Sequence, residues 1–199
     1  SSIERVVGSD DIDTVDLSAF NGVTIDLDVN TPQPGPASQE GVIRVDGEVV
    51  SEIADFENVR GSGGDDLILG NNEINVLEGL GGNDSIHSFG GADTIDGGDG
   101  IDTALFSAGG GVIVDLDEDG NAIAQINAPE GALIDTVLNF ENINGSNNAG
   151  SANGGADVLS GNSGANQLNR QAGDDVLNGE GGHDIRIGGP GSDTFTLEG

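Results

Sequence analysis

Between Gly61 and Leu105 the chain repeats itself every nine residues, and few folds can absorb that period. The units read GSGGDDLIL, GNNEINVLE, GLGGNDSIH, SFGGADTID and GGDGIDTAL, with Gly at the fourth place of four of the five. The sixth place is always Asp or Asn: Asp66, Asn75, Asp84, Asp93 and Asp102. The eighth is one apolar residue in a polar setting: Ile68, Leu77, Ile86, Ile95 and Ala104. Strand side chains alternate between faces, so nine residues suit a six-residue Gly-rich turn and a three-residue strand whose middle side chain points inward. Two units make one coil of a parallel solenoid, and the fold class expected is all-β.

Residues eighteen apart then stack on one edge, with Asp66, Asp84 and Asp102 in one file and Asn75 and Asp93 in the other. Successive coils lie one strand spacing apart, about 4.8 Å, where two carboxylates repel unless a cation sits between them. Glycine lets a tight turn aim its carbonyls at such a cation. A hard divalent ion with many oxygen ligands suits the site, and calcium is the ion implied.

The pattern recurs. From Ala152 to Thr196 the chain reads ANGGADVLS, GNSGANQLN, RQAGDDVLN, GEGGHDIRI and GGPGSDTFT, with Asp157, Asn166, Asp175, Asp184 and Asp193 at the sixth place. Each lies 91 residues after its counterpart, and Asn holds the second unit of both blocks. GSDDIDTVD at Gly8 to Asp16 matches GGDGIDTAL at an offset of 89, GVTIDL at Gly22 matches GVIVDL at Gly111, and DFENVRGS at Asp55 matches NFENINGS at Asn139. The chain is a tandem duplication. Residues 1–16 read as the end of a preceding block, so the chain is expected to come from a longer array; 17–60 as a β insert or cap; 61–105 as the first roll; 106–151 as a second insert; 152–199 as the second roll.

The inserts lose the period. Val23, Ile25 and Leu27 alternate as a half-buried strand, Pro32 to Pro36 is a loop, and Val42 to Val50 reads as a hairpin turning at Asp46-Gly47. The second insert repeats the plan with strands at Val112 to Leu116 and Ala122 to Ile126 around a turn at Asp117 to Asn121. Phe140 and Ile143 take the places of Phe56 and Val59. Each insert is expected to cap or space a roll, because a bare sheet edge invites pairing with other chains. The residues Asn147 to Asn153 form an insertion at the entry to the second roll. Arg186 occupies an inward eighth place, so either the coil opens there or the strand rotates to bury Ile185 or Ile187.

The nonapeptides resemble the RTX (hemolysin-type) calcium-binding repeats, whose consensus is GGxGxDxUx, over about half the chain. The resemblance implies a parallel β-roll with calcium between adjacent turns, type I secretion, and folding triggered by calcium outside the cell. It also implies a ligand set. The upstream turn would offer the carbonyls of its first and third places and its Asp, the downstream turn those of its second and fourth places and its Asp. Asp66 and Asp84 would then bind with Gly61, Gly63, Leu80 and Gly82, and Asp84 and Asp102 with Gly79, Gly81, Gly98 and Gly100. Asn75 and Asp93 would use Gly70, Asn72, Phe89 and Gly91. In the second block Asp157 and Asp175 would use Ala152, Gly154, Gln171 and Gly173. Asp175 and Asp193 would use Arg170, Ala172, Gly189 and Gly191. Asn166 and Asp184 would use Gly161, Ser163, Glu180 and Gly182. The Asn-containing pairs carry less charge and should bind more weakly. Asp13 reads as half a site or a solvated turn.

Composition narrows the function. With 36 Asp plus Glu against 5 Lys plus Arg, a formal charge of -31 excludes nucleic acid or an anionic membrane as a partner held by the chain's own field. With 6 Phe and no Trp or Tyr, no ordinary aromatic core is available, and only the periodicity argues against disorder. The absence of Cys excludes disulfides and thiolate metal sites. No apolar run is long enough to span a membrane.

Asp115, Asp117, Asp119 and Gly120 spell the opening of an EF-hand loop, but the twelfth place is Ile126 rather than Glu, so a solvated acidic turn is the better reading. His87 and His183 stand beside no Ser and in no HExxH motif and read as surface residues; no GxSxG elbow or phosphate loop is present. The expectation is a non-enzymatic calcium-binding module of a larger secreted or cell-surface protein. Its alternatives are the C-terminal accessory module of a secreted protease, lipase or polysaccharide epimerase, or an adhesin or surface-layer segment, and contact with a cell surface or polysaccharide would come through the parent protein. At a tenfold excess over its dissociation constant one site contributes about 1.4 kcal/mol. Six such sites would give roughly 8 kcal/mol, comparable with the stability of a whole domain.

Overall fold

The structure, a computed structural model, describes residues 4–7, 12–27, 41–45, 48–54, 56–106, 111–128, 131–146 and 155–196. These residues form strands and turns, with no helix long and apolar enough to cross a membrane among them. Ahead of the first block lie β1 (Glu4–Val7), β2 (Thr14–Asp16), β3 (Val23–Asp26), β4 (Gly41–Val45), β5 (Glu48–Ala54) and β6 (Asn58–Arg60). Each nonapeptide of the block then contributes one strand at its last three places: β7 (Leu67–Leu69), β8 (Val76–Glu78), β9 (Ser85–His87), β10 (Thr94–Asp96) and β11 (Thr103–Leu105). The second insert supplies β12 (Val112–Asp115), β13 (Ala122–Ala128), β14 (Gly131–Leu138) and β15 (Asn142–Asn144). The second block supplies β16 (Val158–Ser160), β17 (Gln167–Asn169), β18 (Val176–Asn178), β19 (Ile185–Ile187) and β20 (Thr194–Thr196).

Successive strands alternate between two sheets, as one strand per half-coil requires. One sheet runs β1-β5-β4-β3-β7-β9-β11-β15-β17-β19, the other β2-β6-β8-β10-β14-β13-β12-β16-β18-β20. Within a block the pairing is parallel between residues eighteen apart: Ile68 faces Ile86, Ile86 faces Ala104, and Leu77 faces Ile95. The eighth-place side chains are the core. Ile68, Leu77, Ile86, Ile95, Ala104, Leu159, Leu168 and Leu177 are all fully buried between the sheets. A stack of single branched aliphatics per strand fills so narrow a roll, which is why 6 Phe suffice.

The inserts are built into the sheets. β15 lies between β11 and β17, carrying the core row Ala104, Ile143, Leu168 straight from one block to the next. In the other sheet β14 continues β10 in parallel, β13 and β12 form an antiparallel meander with it, and β12 hands over in parallel to β16. The first insert does the same with the sheets exchanged. Its meander β3-β4-β5 precedes β7, while β6 bridges β2 and β8. Val23, Ile25 and Leu27 point inward as their alternation predicts. Both hairpins form, but β14 is a strand that the period did not reveal. The loop at Pro32 to Pro36, the Asp46-Gly47 turn and the insertion at Asn147 to Asn153 lie outside the described residues.

Arg186 keeps the register of its row, facing Leu168. The strand does not rotate, since Ile185 and Ile187 stay exposed, and Arg186 Nη1 instead donates to Thr196 O at 2.7 Å. β19 and β20 are the last strands of their sheets, where Phe195 is also exposed, so a polar head in an inward place finds an outlet.

Candidate metal sites along the turn files

The turns stack so tightly that most of them demand glycine at the fourth place. Gly82, Gly91, Gly100, Gly173, Gly182 and Gly191 all have φ between 98° and 156°. A methyl group at Gly100 would lie 1.7 Å from Gly82 O, and one at Gly191 the same distance from Gly173 O. The second place is left-handed as well in several turns, at the cost of strain where it carries a side chain: Leu80 (φ 81°), Phe89 (φ 66°) and Glu180 (φ 58°). Backbone carbonyls therefore crowd one edge of the roll.

Beneath five of the turns the sixth-place side chain folds back and receives a hydrogen bond from the coil before. Asp66 N donates to Asp84 Oδ1 at 2.8 Å and Asp84 N to Asp102 Oδ1 at 2.7 Å. Asn75 N donates to Asp93 Oδ1 at 2.8 Å on the opposite edge. In the second block Asp157 N reaches Asp175 Oδ1 at 2.9 Å and Asn166 N reaches Asp184 Oδ1 at 3.2 Å. The files read from the sequence are thus formed in both blocks.

One oxygen of Asp84, Asp93, Asp102 and Asp175 is consumed in this ladder; the other is the informative one. Asp84 Oδ2, Asp93 Oδ2, Asp102 Oδ2, Asp175 Oδ2 and Asp193 Oδ1 are buried and face no donor. A buried oxygen without a partner costs about 1 to 3 kcal/mol, more when charged. Burial accordingly pushes the carboxyls of Asp84 and Asp93 up to about 7 and that of Asp102 up to about 6, with neighbouring carboxylates adding to the rise. Two charges about 4.8 Å apart repel by roughly 3 kcal/mol at an effective dielectric near 20. This donor set fits a hard cation. Among the described residues no three His, Asp or Glu side chains converge, so an ion here would take one or two carboxylates and fill its shell from the turn carbonyls, as calcium does.

The predicted residues differ in how they meet this demand. Asp66 and Asp157, first in their blocks, are already satisfied. Asp66 accepts from Val23 N, Ser62 N and Ser62 Oγ at 2.6 to 2.7 Å, and Asp157 from Val112 N, Ser146 N and Ser146 Oγ at 2.7 to 3.0 Å. Gly145 and Ser146 therefore stand where Gly61 and Ser62 do, although Asp157 lies eleven residues beyond Ser146 and Asp66 only four beyond Ser62. Ala152 and Gly154, expected to supply carbonyls, lie outside the described residues. Asn75 and Asn166 use their amides: Asn75 Nδ2 donates to Glu57 O at 2.7 Å and Asn166 Nδ2 to Glu141 O at 2.8 Å, bonds that a carboxylate cannot make.

Three ladder members escaped the sequence reading. Glu57 Oε2 accepts from Asp13 N at 2.9 Å, Glu141 Oε2 from Asp102 N at 2.8 Å, and Asp135 Oδ1 from Asp93 N at 3.0 Å. Glu57 was findable, since it stands nine residues before Asp66. Asp135 is fully buried and also takes the hydroxyl of Ser88 at 2.9 Å. The fourth omission is Arg170, expected to offer only a carbonyl. Its side chain is buried, and Nη1 lies 2.9 Å from Asp175 Oδ1. Burial lowers its pKa to about 10, which leaves it charged at neutral pH.

Outside the files, Asp117 Oδ1 accepts from Asp119 N and Asn121 N at 3.0 and 2.9 Å, bonds that hold its carboxyl below the ordinary range. The acidic turn is thus folded around its own first Asp. His183 is exposed, as expected of a surface residue. His87 is not a free surface residue. It is half-buried, stacks on Phe89 with ring centroids 3.7 Å apart, and burial lowers its pKa to about 4.

Comparison with known families agrees with this geometry. The family model of the RTX calcium-binding nonapeptide repeat matches four times, over residues 69–104, 144–171, 151–185 and 171–195. No curated protein matches the chain. The matches fall on the two blocks whose turns carry the carboxylate files, and repeats of this kind bind Ca2+ as structural elements. The two blocks are thus RTX calcium-binding nonapeptide repeats.

Proposed function

We propose that the chain is a calcium-dependent structural module of a larger secreted protein, unfolded where calcium is scarce and folded outside the cell. The observation that supports this most is the set of five buried carboxylate oxygens that face no donor, at Asp84, Asp93, Asp102, Asp175 and Asp193. Each is an oxygen that the fold has desolvated without giving it a hydrogen-bond donor, and of the five carboxylates only Asp175 has an arginine beside it. Bound calcium supplies the missing positive charge and accepts oxygens as ligands. The chain's part is to bring the two carboxylates of a pair within one coil spacing and hold carbonyls beside them. That is achieved only when both turns are formed, so affinity for the ion and folding are one equilibrium.

On this reading residues 61–105 and 152–199 are the ion-binding rolls, 17–60 and 106–151 the spacers, and 1–16 the end of an earlier block. The ligand carbonyls are those of the first and third places upstream and the second and fourth downstream. The chain does no catalysis itself. An acidic, cysteine-free chain with a formal charge of -31 remains extended in the absence of the ion, which suits passage through an export channel.

A calcium titration followed by far-UV circular dichroism and calorimetry, with magnesium as control, tests this. A coil-to-β transition specific to calcium, with several ions taken up per chain, is the expected result. A chain fully folded in chelator and indifferent to calcium would remove the reading.

A further inference from the structure

One pair of turns is built unlike the others. The first place of a unit looks directly at the carboxylate of its own turn: a methyl group at Gly79, Gly179 or Gly188 would lie 2.2 to 2.3 Å from Oδ2 of Asp84, Asp184 or Asp193. Glycine keeps that space clear. In the third unit of the second block the residue is Arg170, 1% exposed. Its guanidinium enters the space that glycine leaves open elsewhere.

There Nη1 lies 2.9 Å from Asp175 Oδ1, both side chains being wholly buried. Nη2 donates to Asp157 O at 3.1 Å and to Val176 O. The guanidinium thus joins the backbone of the upstream turn to the carboxylate of the downstream one, the two parts that an ion between Asp157 and Asp175 would join. Asp157 is held by Val112 N, Ser146 N and Ser146 Oγ just as Asp66 is by Val23 N, Ser62 N and Ser62 Oγ, so Arg170 is what sets this pair apart. A buried arginine without its carboxylate would be strongly destabilising, so the side chain is held in this place by Asp175.

We propose that Arg170 is a built-in cation that stands in for calcium between Asp157 and Asp175, so that this pair is bridged with no ion. The inference rests on the calcium reading of the two blocks. Its consequence is an asymmetry: the first block depends on the ion at every pair, whereas the second carries one permanent cross-link.

Native mass spectrometry of the full chain at saturating calcium counts the ions. R170G, which places there the glycine that Gly79, Gly179 and Gly188 supply in their turns, should bind one ion more than the wild type, and R170K should bind the same number as the wild type. A wild type that binds calcium, with R170G unchanged in count and folded by circular dichroism, overturns this inference alone. A wild type that binds no calcium removes the calcium reading and this inference together. Should R170G fail to fold, hydrogen exchange of the folded wild type at sub-saturating calcium decides. The amides of Asp157 and Val176 should exchange at least tenfold more slowly than those of Asp66 and Ser85, which make the same bonds in the first block; equal rates overturn the proposal.

Discussion

Glycine at the fourth place and glycine at the third look alike in the sequence but meet different surroundings. A methyl group at Gly100 would collide with Gly82 O at 1.7 Å, whereas one at Gly63 would meet nothing within 4 Å. G100A should therefore cost more than about 3 kcal/mol, and G63A should stay within about 0.5 kcal/mol, because substitutions without a clash or strain are near neutral. Thermal melts in saturating calcium compare the two. Gly63 keeps its carbonyl in either case, so a large loss in G63A would contradict the open space at that place. At this scale the sixth and eighth places were legible because each asks for one property, a carboxylate or an inward aliphatic, that a single letter carries. Arg170 was not legible. In the sequence it only breaks a glycine position, and where a long side chain ends depends on the coil above it. Asn75 was half legible: the missing charge could be read, but the bond from its amide to Glu57 O could not.

Strands of three residues are too short to stand alone, so each is fixed by its neighbours in the sheet, and the inserts test how far that rule extends. β14 takes its register from Asp135, whose carboxylate binds Asp93 N of β10's turn at 3.0 Å and the hydroxyl of Ser88 at 2.9 Å. D135A leaves both donors buried and unpaired, and should cost about 2 to 4 kcal/mol. Chemical denaturation in calcium measures the loss, and a change under about 0.5 kcal/mol would mean that β14 is held by its apolar contacts alone. β14 was hidden because Asp135-Thr136-Val137 carries the sixth to eighth places of a unit without the glycine turn that announces one. Glu57 could be found only by its spacing, since no glycine among the five residues before it announces a turn. The sequence signal for this fold lies in its turns, and an insert that supplies strands without those turns goes unread.

For the molecule as a whole, calcium and protons compete for the same buried oxygens. In the ion-free fold Asp84 and Asp93 titrate at about 7 and Asp102 at about 6, against an ordinary value of 3.8. Below the ordinary value both folded and unfolded chains are protonated and nothing is lost. As pH rises toward 7 the unfolded chain releases its protons first, so the unfolded state gains and folding stability falls until the folded groups have ionised. In metal-free buffer the melting temperature should therefore be higher at pH 4.5 than at pH 7.5, and saturating calcium should remove most of that difference at pH 7.5. A metal-free melting temperature that rises over the same interval would show that these carboxyls are not desolvated.

The exchange of sheets between the two inserts reaches beyond this chain. β3 and its counterpart β12 lie in opposite sheets, as do β6 and β15, and β7 and β16. The duplicated unit therefore maps onto its neighbour by a half-turn about the roll axis combined with a translation along it: a twofold screw. A screw has no last step. Any number of such units can be joined with the core row that passes through β6 and β15 continuous, their three-stranded meanders falling by turns in opposite sheets.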